Sequence, residues 1–211
     1  MKTILILLLL ALPLRAASSY NQTFTVSTQI PDNNIIGIAN TRNVATTITR
    51  ITSLSVSLNI SGGWNGDYYA YLSHGSGFAV LLNRPGRSQS SPFGSGSSGF
   101  NILLTDSAAS DIHTTIPNSG QVTGTYQPDA RNTDPASASD NDVRSAFLGT
   151  FAGLDANGQW TLFIADVSPG GTGTLQGWTL EIQGIPEPGC GLFAIFGVLL
   201  MAGRRSRARG E

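Results

Sequence analysis

The chain reads as all-β, a single antiparallel β-sandwich of about eight strands, on three observations. Apolar residues recur at every second position in six separate stretches. Clusters of Gly, Pro, Asn and Ser punctuate those stretches. Nothing between the two ends of the chain sustains the 3.6-residue period of a helix. Residues 19–184 show no break in composition, and two domains would each hold too few strands, so one sandwich is expected there.

Taken in order, Leu54, Val56, Leu58 and Ile60 alternate with Ser55, Ser57 and Asn59, the two-residue repeat of a half-buried strand. Asp67 opens a run in which Tyr68, Ala70 and Leu72 share one face. Phe78, Val80 and Leu82 form the next face, then Phe100, Ile102 and Leu104. Trp160, Leu162 and Ile164 follow, and Trp178, Leu180 and Ile182 close the series. Asn141 to Phe151 is the nearest approach to a helical pattern, enough for one or two turns. Gly62-Gly63, Asn83 to Gly99, Asn118 to Gly120, Asn157-Gly158 and Ser168 to Gly173 mark the turns.

The ends are of another kind. Lys2, the apolar run Ile4 to Leu12, the helix-breaking Pro13 and the small residues Ala16-Ala17-Ser18 have the parts of a secretory signal peptide over residues 1–18. At the other end Pro186-Glu187-Pro188 precedes an apolar run, Gly189 to Gly203, and then Arg204, Arg205, Arg207 and Arg209. The run suits a membrane helix over 189–203, and arginines behind it stay on the cytoplasmic side. At about 1.5 Å per residue it reaches about 22 Å, short of a hydrocarbon core of about 30 Å. That length suits temporary retention better than a permanent anchor.

Between these ends lie six arginines, no lysine and eleven acidic residues, a net charge of −5. Nothing there resembles a basic footprint, so a nucleic-acid partner is not expected. Cys190, the single cysteine, falls in the tail. Disulfides, thiolate zinc sites and thiol catalysis are therefore excluded from the sandwich. Charged residues make up 12% of the chain, about half the usual share, with Ser, Thr, Gly and Asn in their place.

Two resemblances follow. Residues 185–211, with Pro-Glu-Pro, apolar helix and arginine cluster in that order at the chain end, resemble the PEP-CTERM sorting signal of Gram-negative bacteria. The resemblance implies recognition at Pro186, Glu187 and Pro188 by a membrane-embedded exosortase, transient contact with the inner membrane, and delivery to the cell surface or extracellular matrix. It also implies an exopolysaccharide or biofilm setting. The second concerns Asn157 to Asp166, followed by Gly173, Leu175 and Trp178 to Ile182. It looks like the closing half of a P domain, the jelly-roll module also called P/Homo B that follows subtilisin-like proteases. Leu54 to Ile60, Gly66-Asp67 and Leu72 to Gly75 fit the earlier half, and Gly124, Tyr126 and Pro128 echo the connection between. The resemblance implies a jelly roll. The usual protease is missing, since about 165 residues cannot hold one beside a sandwich.

No catalytic residue is assigned and an enzyme is not expected. His74 falls in a turn and His113 in a polar loop, and both read as solvent-exposed residues with no nucleophile or orienting acid marked beside them. Gly94 to Gly99 spells G-x-G-x-x-G but precedes a strand, so it reads as a flexible Ser/Gly loop rather than a nucleotide cradle. Asp67 and Asp166 sit at strand ends, and Asp140 and Asp142 belong to a loop crowded with Asp129, Asp134 and Asn141. Carboxylates and carbonyls in loops suit calcium, and Asp67, Asp166, Asp140 and Asp142 are the candidate ligands; the competing role is Asx-turn formation. Trp64, Tyr69 and Tyr71 are candidate ligand-binding aromatics, with Tyr69 and Tyr71 alternating away from the core face. The expected function is a non-catalytic structural or adhesive surface protein. A carbohydrate-binding module, calcium-dependent or not, is the alternative; a secreted hydrolase or protease-accessory domain ranks below both.

Overall fold

The computed structural model describes residues 17–187 apart from 116, 118 and 119. Nine strands follow in order: β1 (Ser18–Ile30), β2 (Asn34–Val44), β3 (Ile48–Gly62), β4 (Tyr68–His74), β5 (Gly77–Asn83), β6 (Phe100–Leu104), β7 (Val122–Tyr126), β8 (Gly158–Asp166) and β9 (Gly173–Pro186). They form two sheets, β1-β9-β3-β6-β7 and β2-β8-β4-β5, packed as a β-sandwich. The pairing is antiparallel except between β6 and β7, where Phe100 to Leu104 run parallel to Val122 to Tyr126. The long connection 105–121 permits this exception, because a parallel partner cannot be reached through a tight turn.

The faces read from β3, β4, β6, β8 and β9 are the buried ones: Val56, Leu58, Ile60, Tyr68, Leu72, Phe100, Trp160, Leu162, Trp178 and Leu180 all lie in the core. β5 differs. Ala70 pairs with Leu82 but Tyr71 pairs with Val80, so Leu81 is bulged out of the ladder. The bulge reverses the phase between the strand's two halves. Ala79, Leu81 and Leu82 enter the core, while Phe78 faces outward and Val80 is covered by its bonds to Ala130 and Ala146.

β1 and β2 show no apolar face long enough to announce a strand, being edge strands exposed along much of their length. Asn141 to Phe151 forms only a 3-10 turn at Leu148–Phe151. No helix among the described residues is long and apolar enough to cross a membrane. The expected signal peptide, save for residues 17–18, and the whole of the expected tail helix 189–203 fall outside the described residues, and only 185–187 of the expected sorting signal are described. β9 reaches Pro186, paired with Ile48, so the Pro-Glu-Pro motif begins where the last strand ends.

A polar contact near the middle of β9 helps join the sheets. Trp178 of β9 is buried, tilts against Phe24 at 4.7 Å, and donates its indole N–H to Asn40 Oδ1 of β2 at 2.9 Å. Trp178→Ala removes a filled core volume and this bond together. It is expected to lower the unfolding free energy by about 3–5 kcal/mol in urea titrations, whereas Trp178→Phe, which keeps most of the volume, costs less.

Candidate functional site

Both histidines are buried, contrary to their reading as exposed loop residues. His74 ends β4 at 7% exposure and stacks on Trp160 with ring centroids 4.0 Å apart. Its Nδ1 faces the Gln159 carbonyl at 2.8 Å and its Nε2 the Asp155 carbonyl at 2.7 Å. Both ring nitrogens are committed to backbone, so neither faces a substrate. Sequence periodicity places a residue on a strand; it does not tell that a neighbouring turn closes over it.

His113 is 1% exposed and sits in a closed ionic network. Its Nδ1 donates to Asp129 Oδ2 at 2.8 Å and its Nε2 to the Arg87 carbonyl at 2.7 Å. Asp129 also accepts from Asn83 N at 3.0 Å and from Arg131 Nη1 at 3.1 Å. Arg131 Nη2 reaches Asp111 Oδ2 at 3.0 Å, and Arg144 lies 3.6 Å from the same oxygen. Burial disfavours the imidazolium, but the hydrogen bond and charge of Asp129 and the Arg87 carbonyl outweigh it, and the His113 pKa is raised. The network fastens the loop carrying Asp129 and Arg131 to the end of β5. It is a clamp.

The acid pair at the opposite end of β4 is not closed in this way. Asp67 ends the 3-10 turn Asn65–Asp67, and its neighbour Tyr68 pairs in register with Asp166 at the end of β8. Val167 N donates to the Asp67 carbonyl at 2.9 Å, which fastens the two strand ends together. Tyr68 fixes the corner from below, donating to the Gly62 carbonyl at 2.9 Å. Its hydroxyl occupies the space that a Cβ on Gly173 would need. Asp67 Oδ1 lies 3.5 Å from Arg84 Nη2, and Asp166 Oδ1 accepts from Ser168 N at 3.2 Å. Oδ2 of each acid is buried without a hydrogen-bond partner among the described residues. Burial raises both carboxyls, which reach about 6 with the opposing contacts counted. Arg84 and the Ser168 hydroxyl pull Asp67 part of the way back, and the Ser168 and Asn33 amides do the same for Asp166. Asp32 adds a third negative charge nearby.

The other two candidate cation ligands stand apart. Asp142 Oδ2 accepts from Ser139 N at 2.9 Å, and Asp140 Oδ1 from the Ser139 hydroxyl at 3.0 Å. Both hold the turn they belong to, the competing Asx role. No group of three metal-ligating side chains converges among the described residues.

The candidate aromatics divide as well. Tyr69 and Tyr71 face outward from β4 and are joined by Phe163 of β8 and Phe78 of β5, neither of which the sequence had nominated. Tyr71 stacks on Phe163 with centroids 4.7 Å apart and 14° between planes, and lies 5.0 Å from Phe78. Tyr69 lies 6.0 Å from Tyr71 and 6.3 Å from Phe163. Trp64 is elsewhere: half-exposed, with its ring packed over Gly170, it lines a groove of about 200 Å³ with Phe93, Ser95, Ser168 and Asp67. The Gly94 to Gly99 loop beside it is pinned rather than flexible. Asn65 Nδ2 donates to the Gly99 carbonyl, Gly99 N donates to Asn65 Oδ1, and Gly66 N donates to the Ser95 carbonyl.

The family model of the proprotein convertase P-domain matches residues 115–182. The P-domain likeness of the closing strands is thereby borne out. Among solved structures, the serine protease of Aeromonas sobria in complex with its chaperone aligns at 18% identity and a TM-score of 0.46. A second structure, of a serine protease of Aeromonas sobria, aligns at 15% identity and a TM-score of 0.46. Each alignment covers 82% of this chain but 28% of the protease chain. No curated protein matches the chain.

The His113 clamp carries a pH signature. A base whose folded pKa is raised stabilises fully below its ordinary value near 6.5 and loses that contribution as pH climbs through the raised one. His113→Gln is expected to cost about 3 kcal/mol at about pH 6, with the gap to wild type narrowing above neutrality. Denaturant titrations of both proteins from about pH 5 to 9 test this. A gap that stays constant across the range refutes a charged His113.

Proposed function

We propose that the chain is an exported, non-catalytic adhesive module that holds saccharide polymers at the cell surface or in the extracellular matrix. It is a jelly roll delivered by the PEP-CTERM-like tail and its exosortase. The observation that carries this reading is the outer face of the four-stranded sheet. Tyr71 and Phe163 pair across β4 and β8, and two residues further along the next pair is Ser73 and Thr161, with Thr41 of β2 in the same row. A row of aromatic rings thus lies beside a row of hydroxyls, about 7 Å away by strand geometry. Sugars have the matching pair of properties, an apolar C–H face that stacks on rings and hydroxyls that exchange hydrogen bonds. The occupied ring nitrogens of His74 and His113 support the non-catalytic part of the reading. The order of Pro-Glu-Pro, apolar run and arginines supports the sorting part.

Two outcomes are expected. Tyr71→Ala and Phe163→Ala should each weaken retention on exopolysaccharide from the producing cells by about tenfold or more in affinity electrophoresis, about 1.4 kcal/mol, with thermal unfolding little changed. Unaltered retention in both variants would sink the saccharide reading. Truncation after Pro186 keeps β9 whole and removes the tail beyond it. The full chain should mature to about the mass of this variant while the variant itself escapes to the medium, and a full chain that keeps its tail, or a variant that stays where the full chain does, would remove the sorting role.

A further inference from the structure

We infer that Asp67 and Asp166 bind a divalent cation, calcium by its chemistry, at the inner end of the Trp64–Phe93 groove. The inference is independent of what the aromatic face holds. Strand register brings the two residues to one corner, where the residue before Tyr68 meets the register partner of Tyr68, and the Asp67 carboxylate is near enough for its charge to act on Asp166. Asp67 is 2% and Asp166 0% exposed, and each presents a buried Oδ2 that no donor satisfies. Elsewhere in the same sandwich buried acids are fully bonded, Asp129 by His113, Arg131 and Asn83 N. Asn83 Oδ1 and Arg131 Nε are the other buried side-chain atoms without a partner among the described residues, but only at this corner do two carboxylate oxygens share that state, which a ligand would account for.

Charge points the same way. Asp67, Asp166 and Asp32 face a single cation, Arg84, whose Nε is already donated to the Gly66 carbonyl at 2.9 Å. The corner carries a net charge of about −2, part of it buried, and buried charge without a partner is strongly unfavourable. A divalent ion cancels that charge.

The donor set selects the ion. Asp67, Asp166, the Ser168 hydroxyl and nearby carbonyls offer oxygen only, the preference of calcium and magnesium rather than zinc or copper. Two carboxylates leave several positions to water, and magnesium requires near-ideal octahedral geometry, whereas calcium accepts irregular shells. A site with so few protein charges belongs to the millimolar class found in extracellular modules. The groove between Trp64 and Phe93 is the entry path, since Asp67 lines it.

The test uses protein freed of metal with EDTA at neutral pH. Calcium at about 5 mM is expected to raise the unfolding midpoint by about 3–6 °C, with a smaller rise for magnesium. Asp166→Asn, which removes one unpaired charge, should match or exceed wild type in EDTA and lose the calcium response. Asp142→Asn should keep that response. Should Asp166→Asn fail to fold, Asp67→Asn serves in its place, and terbium on wild-type protein and Trp64→Phe decides without either acid variant. Terbium bound at this corner should luminesce on excitation of Trp64, calcium should quench the signal by displacement, and Trp64→Phe should remove it. A midpoint indifferent to calcium, an Asp166→Asn variant that responds like wild type, or terbium emission unaffected by Trp64→Phe would each overturn the assignment.

Discussion

Both sheets depend on the last two strands. β8 lies between β2 and β4, and β9 between β1 and β3, so each sheet is built around one strand of the closing pair. Only residues 167–172 separate them, and that short link obliges the two sheet centres to face one another. Trp160, Leu162 and Ile164 from one side and Trp178, Leu180 and Ile182 from the other then fill the interior. β1, β2, β3 and β4 pair directly with β8 or β9, β5 and β6 extend the sheets from β4 and β3, and β7 adds to β6. Residues near the start of the chain thus find partners more than a hundred positions away, as Tyr20 does with Ile182. Long-range pairing of this kind makes assembly slow relative to helical folds of the same size.

The polar groups at the sandwich ends meet one electrostatic problem with different outcomes. His74 lies between two backbone carbonyls and against a stacked indole. His113, Asp129, Arg131, Asp111 and Arg144 alternate in sign, so each acid lies between cations, and the loop they brace is bonded to β5 through Asp129 N and Ala130 N. Asp67 and Asp166 have the same burial without the alternation. A corner that retains unpaired acid after folding is where an acidic sandwich without cysteine has room for a ligand to add stability.

Legibility followed burial on one side. β3, β6, β8 and β9 each bury one face and wet the other, so the period-two pattern was plain and its phase correct. β5 was misread because one bulged residue, Leu81, reverses the phase midway. β1 and β2 left no signal, since edge strands with mostly polar side chains look like loops in a linear pattern. Of the candidate site, the outward tyrosines and the two strand-end acids were readable. Phe163 and Phe78 were not, because their place beside Tyr71 depends on strand order.

By itself the sequence determined an all-β chain with one core, the identity of most core-facing residues, the absence of thiol chemistry and the two unlike ends, because these follow from local periodicity and composition. The tertiary structure alone decided which strands are neighbours, that the two histidines are buried, that Trp64 parts from Tyr69 and Tyr71, and that Asp67 meets Asp166 while Asp140 and Asp142 close their own turn. The reason is physical. Pairing between strands far apart in the chain is selected by the summed burial of whole faces, and no single segment carries that information.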